Sequence, residues 1–524
     1  MSERLVRSAG LIGFGTLASR VLGMVRDYVQ ARLFGAGTTM DAFVLATRIP
    51  TLLRDLFAEG AMSAAFVPTF TRYLTGQGQA AAWRLGSHVI NGLLVVTGVL
   101  VVLGILLADP LTRLYAAPEF EAIPDQVALT VWLTRINMPF LLLVAVAAAY
   151  MGMLNALRRF FIPAMSPAMY NVVFILSAIV FAGVCPLVGL PPITALAIGM
   201  LLGGIAQIVV QWPAIRREGY RHQWVLDPRD PGLREVLVLM GPGTLGVAAA
   251  QINLFVNTVL ATSQEGAPSA LSYAFRLMYL PIGIFGVSVA TAALPDLARH
   301  AATGTHADMR RTLSWGLRLM LMLSVPATVG LMVLARPIIE LVLESGEFRP
   351  EHTAMVASAL TMYALGIVGY SIVKIASPSF YSLRDARTPV FVSLATILVN
   401  LILNVSLNRV MGFTGLALGT ALSANLNAGV LLFLLSRRVG GIEGRRVGWS
   451  FTKILAASLV MGAAAWYSQM WLRTVIPGGG ALAQFARVFA PIGIALGVLA
   501  LAAWALRIEE FGQAMRRAIG RLRT

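Results

Sequence analysis

Apolar residues run in blocks of about twenty along most of the chain, separated by short polar stretches rich in arginine. A helix rises about 1.5 Å per residue, so about twenty such residues cross the roughly 30 Å hydrocarbon layer of a bilayer. On that ruler the pattern predicts fourteen membrane-spanning helices, at 8–30, 40–70, 87–108, 127–155, 164–184, 191–213, 237–262, 269–296, 313–335, 354–379, 389–408, 413–436, 450–472 and 485–506. The expected fold is an all-α polytopic membrane protein.

Composition agrees and narrows the class. Of 524 residues, 57% are hydrophobic and 12% charged, with a mean hydropathy of +0.77, which excludes an ordinary soluble enzyme. A net charge of +17 on a soluble protein would suggest nucleic acid. Here it needs only arginine-rich loops on one side of a bilayer, so no nucleic-acid partner is expected. The single cysteine, Cys185, excludes an intramolecular disulfide, and no Cys/His cluster suggests a metal or cofactor.

The basic residues orient the spans. With both termini on one face, that face receives twenty-five of the forty-one arginines and lysines, against seven on the other and nine within spans. Cytoplasmic loops carry the excess, so both termini are expected to be cytoplasmic. The opposite loops at 109–126 and 336–353 are acid-bearing.

An internal repeat is also legible. Pro68 to Arg72 matches Pro295 to Arg299, and Arg84 to Ser87 matches Arg311 to Ser314, each 227 residues apart. Leu157, Arg158 and Pro163 match Leu383, Arg384 and Pro389 at an offset of 226. Each repeat holds six spans and starts on the cytoplasmic side, which predicts two six-helix lobes in parallel repeat, as in transporters that bind substrate between lobes near the midplane. The expected division is 1–220 for the first lobe, 221–440 for the second, and 441–524 for two further helices and a basic cytoplasmic tail.

Charge at membrane depth points to chemistry. An arginine at the centre of a span costs roughly 2.5–3.5 kcal/mol, so it needs a partner, a cavity or a ligand. Span 1 carries Arg20 and Arg26-Asp27, span 2 carries Asp41, Arg48, Arg54-Asp55 and Glu59, and span 8 carries Arg276. Arg20 and Arg26 differ by roughly 120° around the helix, so both can border one wide cavity. Five arginines face four carboxylates in these spans, and Arg276 has no acid in its own span before Asp296. A guanidinium cluster suits a phosphate ester, because the planar fork binds its oxygens bidentately and stays charged when desolvated. A second polar set, Asn253, Asn257, Asn400, Asn404 and Thr420, contains two i,i+4 pairs. Its neutral oxygens admit a monovalent cation, but helix-to-helix hydrogen bonding is the stronger reading without a carboxylate.

Three stretches carry a family resemblance: Ser19-Arg20-Val21-Leu22-Gly23-Met24-Val25-Arg26-Asp27, Phe34-Gly35-Ala36-Gly37 with Asp41-Ala42-Phe43, and Phe57-Ala58-Glu59-Gly60-Ala61 through Ala65-Phe66-Val67-Pro68. They resemble the MurJ (MviN) family of bacterial lipid II flippases, within the multidrug/oligosaccharidyl-lipid/polysaccharide exporter superfamily. The resemblance implies alternating access by two lobes in the bacterial cytoplasmic membrane, moving undecaprenyl-diphosphate-linked disaccharide-pentapeptide to the outer leaflet, with spans 13–14 lining a groove for the polyprenyl tail. It places the family's cavity arginines on Arg20, Arg26, Arg54 and Arg276 and its span 2 aspartate on Asp41, with Arg48 and Glu59 nearby in sequence. It further implies lipid II and the bilayer as partners, with cell-wall synthesis proteins as further candidates, and leaves the energy source open between membrane potential and a monovalent-ion gradient. Relatives carry acids beside the span 8 arginine where this chain has Phe275 and Tyr279, so the acids' role does not carry over. The rival classes are a drug/cation antiporter, expected to bury a cavity carboxylate, and a polyprenyl-phosphate transferase, expected to carry an aspartate-rich metal motif. A structural scaffold would need no unpaired charge at membrane depth.

Overall fold

The computed structural model describes residues 3–56, 60–476 and 480–512, and the described residues contain helices and no strand. Contacts divide the chain into two compact units, Met1–Ser269 with Ser345–Phe348 and Ala270–Glu344 with Arg349–Thr524.

Unit 1 holds α1 (Glu3–Phe34), α2 (Thr38–Ala46), α3 (Arg48–Arg54), α4 (Gly60–Gly76), α5 (Gln79–Leu106), α6 (Ala108–Tyr115), α7 (Pro118–Glu121), α8 (Gln126–Asn137), α9 (Phe140–Ala156), α10 (Phe161–Val184), α11 (Thr194–Arg217) and α12 (Pro231–Ala261). The next helix, α13 (Ala267–Pro281), begins at the end of unit 1 and continues in unit 2. It is followed by α14 (Val287–Thr303), α15 (His306–Val342), α16 (Pro350–Ala364), α17 (Ile367–Ser382), α18 (Arg387–Met411), α19 (Phe413–Val439), α20 (Gly444–Val475) and α21 (Ala481–Ala505).

Ten of the described helices or helix runs are long and apolar enough to cross a bilayer, or eleven if α16 and α17, bent by 42°, form one span. The remaining three predicted spans, 8–30 on α1, 40–70 on the series α2 to α4 and 237–262 on α12, lie partly outside the described residues. The second predicted span is interrupted at Thr47 and again by a π-helical turn at Asp55.

That interruption recurs. Ile282–Gly286 is π-helical between α13 and α14, and Ile282 lies 227 residues after Asp55, the offset of the sequence repeat. A π-turn adds a residue to the helical ladder and commonly sits at functional positions. The turn after α9 repeats after α17 in the same detail. Arg158 and Arg384 both have φ of 59°, and their amides donate to Asn155 and Tyr381 at 3.0 Å. The next amides, on Arg159 and Asp385, donate to Leu154 at 2.8 Å and Phe380 at 2.9 Å. A left-handed arginine is uncommon, so two at equivalent positions mark a conserved turn geometry within the chain.

Each unit has its own cores. In unit 1, Phe66 and Phe70 of α4, Trp83 of α5, and Tyr150 and Met153 of α9 pack around Tyr220, which is 1% exposed. In unit 2, Leu317, Leu321 and Val325 of α15 pack with Ile454, Ala457 and Met461 of α20 and Ala495, Leu499 and Ala503 of α21. The two helices outside the repeat share the core of unit 2.

Candidate functional site

Arg26 is half-buried on α1. Its Nη2 lies 3.0 Å from Asp27 Oδ1, its Nη1 donates to Asn171 Oδ1 at 3.1 Å, and its guanidinium stands 5.8 Å from the Phe174 ring centroid. Asn171, on α10, in turn donates to the Ser19 carbonyl at 3.1 Å, which locks α10 to the turn of α1 that carries Arg20. Arg20 itself is half-buried and has no hydrogen-bond or ion-pair partner among the described residues.

Arg54 closes α3 against the π-turn, with its Nη2 2.8 Å from Asp55 Oδ1. The other oxygen of Asp55 accepts from Gln251 Nε2 of α12 at 3.2 Å. Arg48 is half-buried at the start of α3, and Glu59 lies outside the described residues.

Asp41 is placed differently from the arginines. It is 2% exposed, and its carboxylate accepts from the backbone amides of Gly266 at 2.6 Å and Ser269 at 2.9 Å, at the start of α13. Both oxygens thus serve the amides that a helix N-terminus leaves without intrahelical partners.

Arg276 is exposed on α13, in unit 2. The residues that replace its flanking acids join an aromatic cluster: Phe275 and Tyr279 have ring centroids 5.4 Å apart, Phe275 meets Tyr363 edge-on at 5.5 Å, and Tyr279 lies 6.1 Å from Tyr370. Aromatic packing occupies the flanks of Arg276 in this chain.

The asparagine set divides between the units. Asn253 and Asn257 are on α12 in unit 1. In unit 2, Asn404 donates to Asn400 at 2.9 Å and Asn400 to Ser423 of α19 at 3.1 Å, while the Thr420 hydroxyl donates to the Leu416 carbonyl at 2.8 Å. A Cβ on Gly419 would lie 2.1 Å from Asn404 Oδ1, so only glycine lets α19 approach the buried asparagine this closely. Of these contacts Asn400 to Ser423 joins α18 to α19, while the other two run within one helix.

Sequence reading missed Asn171, Phe174, Gln251, Tyr363 and Tyr370. Asn171, polar in an otherwise apolar stretch of α10, was the one usable signal; the aromatic residues look like ordinary core until their neighbours are known.

The family profile described as "Lipid II flippase MurJ" matches residues 30–483. The chain belongs to the MurJ family. A probable lipid II flippase MurJ of Vibrio cholerae serotype O1 is 34% identical over 476 residues, covering 89% of this chain and 90% of the relative. The solved structure of a lipid II flippase MurJ in an inward closed conformation aligns with a TM-score of 0.75 at 25% identity, covering 95% of this chain and 99% of that one. An inward-facing multidrug resistance MATE family transporter of the MOP superfamily aligns at 0.69 with 14% identity, over 81% of this chain and 96% of that one, and shows the common fold alone. Membership of the MurJ family and the run of apolar helices make this a multi-pass protein of the bacterial inner membrane and a transporter rather than an enzyme.

Proposed function

We propose that this protein flips lipid II from the inner to the outer leaflet by alternating access, with both termini cytoplasmic and the substrate diphosphate held by Arg20, Arg26, Arg54 and Arg276. The observation that carries the arginine assignment is Arg20, a half-buried guanidinium in an apolar helix with no partner among the described residues. An arginine at membrane depth without an acid is costly, and a diphosphate supplies the missing anion with bidentate geometry.

Arg26 and Arg54 each have an adjacent aspartate, so substrate would compete with or extend an existing pair. Those aspartates orient the guanidinium forks before substrate arrives, which lowers the cost of ordering them. Asp41 acts through the backbone it holds, not by touching the diphosphate. Asn400 is bonded to Ser423 and Asn404 to Asn400, so this pair serves helix packing and is not assigned to a coupling cation.

Purified protein in proteoliposomes loaded with lipid II on one leaflet tests the reading. Lipid II should become accessible to an impermeant probe on the other leaflet, faster with an imposed potential, and depletion in cells should trap it inside. A rate no greater than that of empty liposomes would overturn the assignment.

A further inference from the structure

Where α15 and α20 end and α21 begins, unit 2 has a pocket of about 400 Å³ whose polar lining is Glu340, Glu344, Arg473, Gln484 and Arg487. All three helices are long and apolar enough to span, so their shared end puts the pocket at a membrane surface. Its charges are two carboxylates and two guanidiniums, and part of the set is engaged within the protein. Arg473 Nη2 lies 3.1 and 3.0 Å from the two oxygens of Glu340, which also accepts from Arg336 Nε at 3.0 Å. Arg487 Nε donates to the Ile476 carbonyl at 2.9 Å, and Glu344 Oε2 accepts from the Thr353 hydroxyl. Arg473 Nη1, Glu344 Oε1 and the Gln484 side-chain amide have no hydrogen-bond partner among the described residues. One cavity thus offers a cationic donor, an anionic acceptor and an amide that does both.

We propose that this pocket binds the headgroup of an aminophospholipid, with its phosphodiester on Arg473 and Arg487 and its ammonium on Glu344. The lining has no net charge, so neither an anion nor a cation alone satisfies it, whereas a zwitterion meets both signs. A guanidinium suits phosphate oxygens, and a primary ammonium carries three N–H donors for a carboxylate. A phosphocholine headgroup has the same charges but no N–H, and a phosphoglycerol headgroup brings a phosphate but no cation for Glu344. The surroundings are those of a membrane interface. Phe485 and Phe489 are exposed, stack at 4.1 Å, and follow Gln484 and Val488 by one position each on α21. Phe489 therefore lies about 7.5 Å further along the helix than Gln484, toward the hydrocarbon. The volume suits a headgroup and leaves the acyl chains in the bilayer beside this aromatic surface.

Purified full-length protein in detergent, titrated with dioleoyl phosphatidylethanolamine, phosphatidylcholine or phosphatidylglycerol and read by native mass spectrometry, tests the site. Phosphatidylethanolamine should bind on the order of tenfold more tightly than either of the others, the effect of one charged hydrogen bond. Glu344→Gln, which keeps an oxygen for Thr353, should bring phosphatidylethanolamine down to the phosphatidylcholine level. Gln484→Trp, which fills the pocket without changing its charge, should also remove the preference. Glu351→Gln, at an exposed acid outside the pocket, should leave it intact. Melting temperature in the same detergent identifies which variants fold. Equal binding of the three lipids, tighter binding of phosphatidylglycerol, or a preference that survives either Glu344→Gln or Gln484→Trp in folded protein overturns the site. No lipid II enters the measurement, so that outcome leaves the flippase reading standing.

Discussion

Arg20 on α1 and Arg318 on α15 both stand in long helices of the membrane region, and their surroundings divide two uses of buried charge. Arg318 is 5% exposed and lies 2.5 Å from Glu510 and 3.0 Å from Glu509, both just beyond α21. Glu510 also accepts from Ser450 at 3.3 Å, and Glu509 from Arg446 at 2.6 Å, so the end of the last helix is tied to α15 and α20 together. Arg20 has no such acid among the described residues. A charge within a span is therefore weak evidence of a site until its partner is known. Arg318 joins a structural network, whereas Arg20 has no such network among the described residues.

The largest expected effect lies on the Arg20 side. Arg20→Ala should cut lipid II flipping by a factor of tens to thousands, the range for losing about 2–5 kcal/mol of a buried charged contact, with normal protein level and melting temperature. Arg20→Lys should recover part of the rate, since a point charge still attracts phosphate without the fork. Unchanged outer-leaflet lipid II in cells carrying only Arg20→Ala would remove this residue from the site. Arg318→Ala should behave in the opposite way. It strands a carboxylate that is 3% exposed and should cost about 3–5 kcal/mol of stability, read as a lower melting temperature in detergent, while the molecules that remain folded still flip substrate. Adding Glu510→Leu should restore much of the loss, because removing both charges also removes their desolvation cost. A melting temperature unmoved by Arg318→Ala would mean that the network contributes nothing.

The same pair shows what the sequence could and could not say. Hydrophobic blocks and the 227-residue offset carried the helical architecture, because both depend on local pattern, and the turns at Arg158 and Arg384 then take the same backbone form. Arg20 and Arg318 look alike in sequence, as arginines inside apolar stretches. What separates them is an acid 191 residues after Arg318, a distance no periodicity reports. Asn171 escaped for the same reason, since its contact with Arg26 spans 145 residues. The C-terminal helices lie outside the repeat, yet their side chains complete the core around Leu317 and Leu321, which no repeat pattern reports.

A smaller effect should follow at the support for Arg26. Asn171→Ala removes the acceptor from Nη1 and the tie to the Ser19 carbonyl but leaves the adjacent Asp27 pair in place. A charged hydrogen bond of about 1.5 kcal/mol corresponds to roughly tenfold slower flipping, and Asn171→Asp, which keeps an acceptor, should lose less. Equal rates for Asn171→Ala and the unsubstituted protein would show that Asp27 alone orients Arg26.

The smallest expected effect is a pH dependence that belongs to the Arg318 network and not to Arg20. The Arg446 guanidinium, followed by Arg318, holds the Glu509 carboxyl below its usual range. A carboxyl depressed in the folded state adds stability that is fully present above the unfolded value, about 4.3 for glutamate, and is lost as pH falls through the lower folded value. Because the Glu509 side chain is 55% exposed, water and salt screen the pair and the contribution is small. The melting temperature set by this pair should stay level from about pH 7 to 5 and decline below about pH 4, with a shallower decline in Glu509→Gln and in high salt. Arg20→Ala should leave that acid limb as it is, since Arg20 has no carboxylate partner among the described residues. An acid limb shared equally by the unsubstituted protein and Glu509→Gln, or one displaced by Arg20→Ala, would break the distinction between the two arginines.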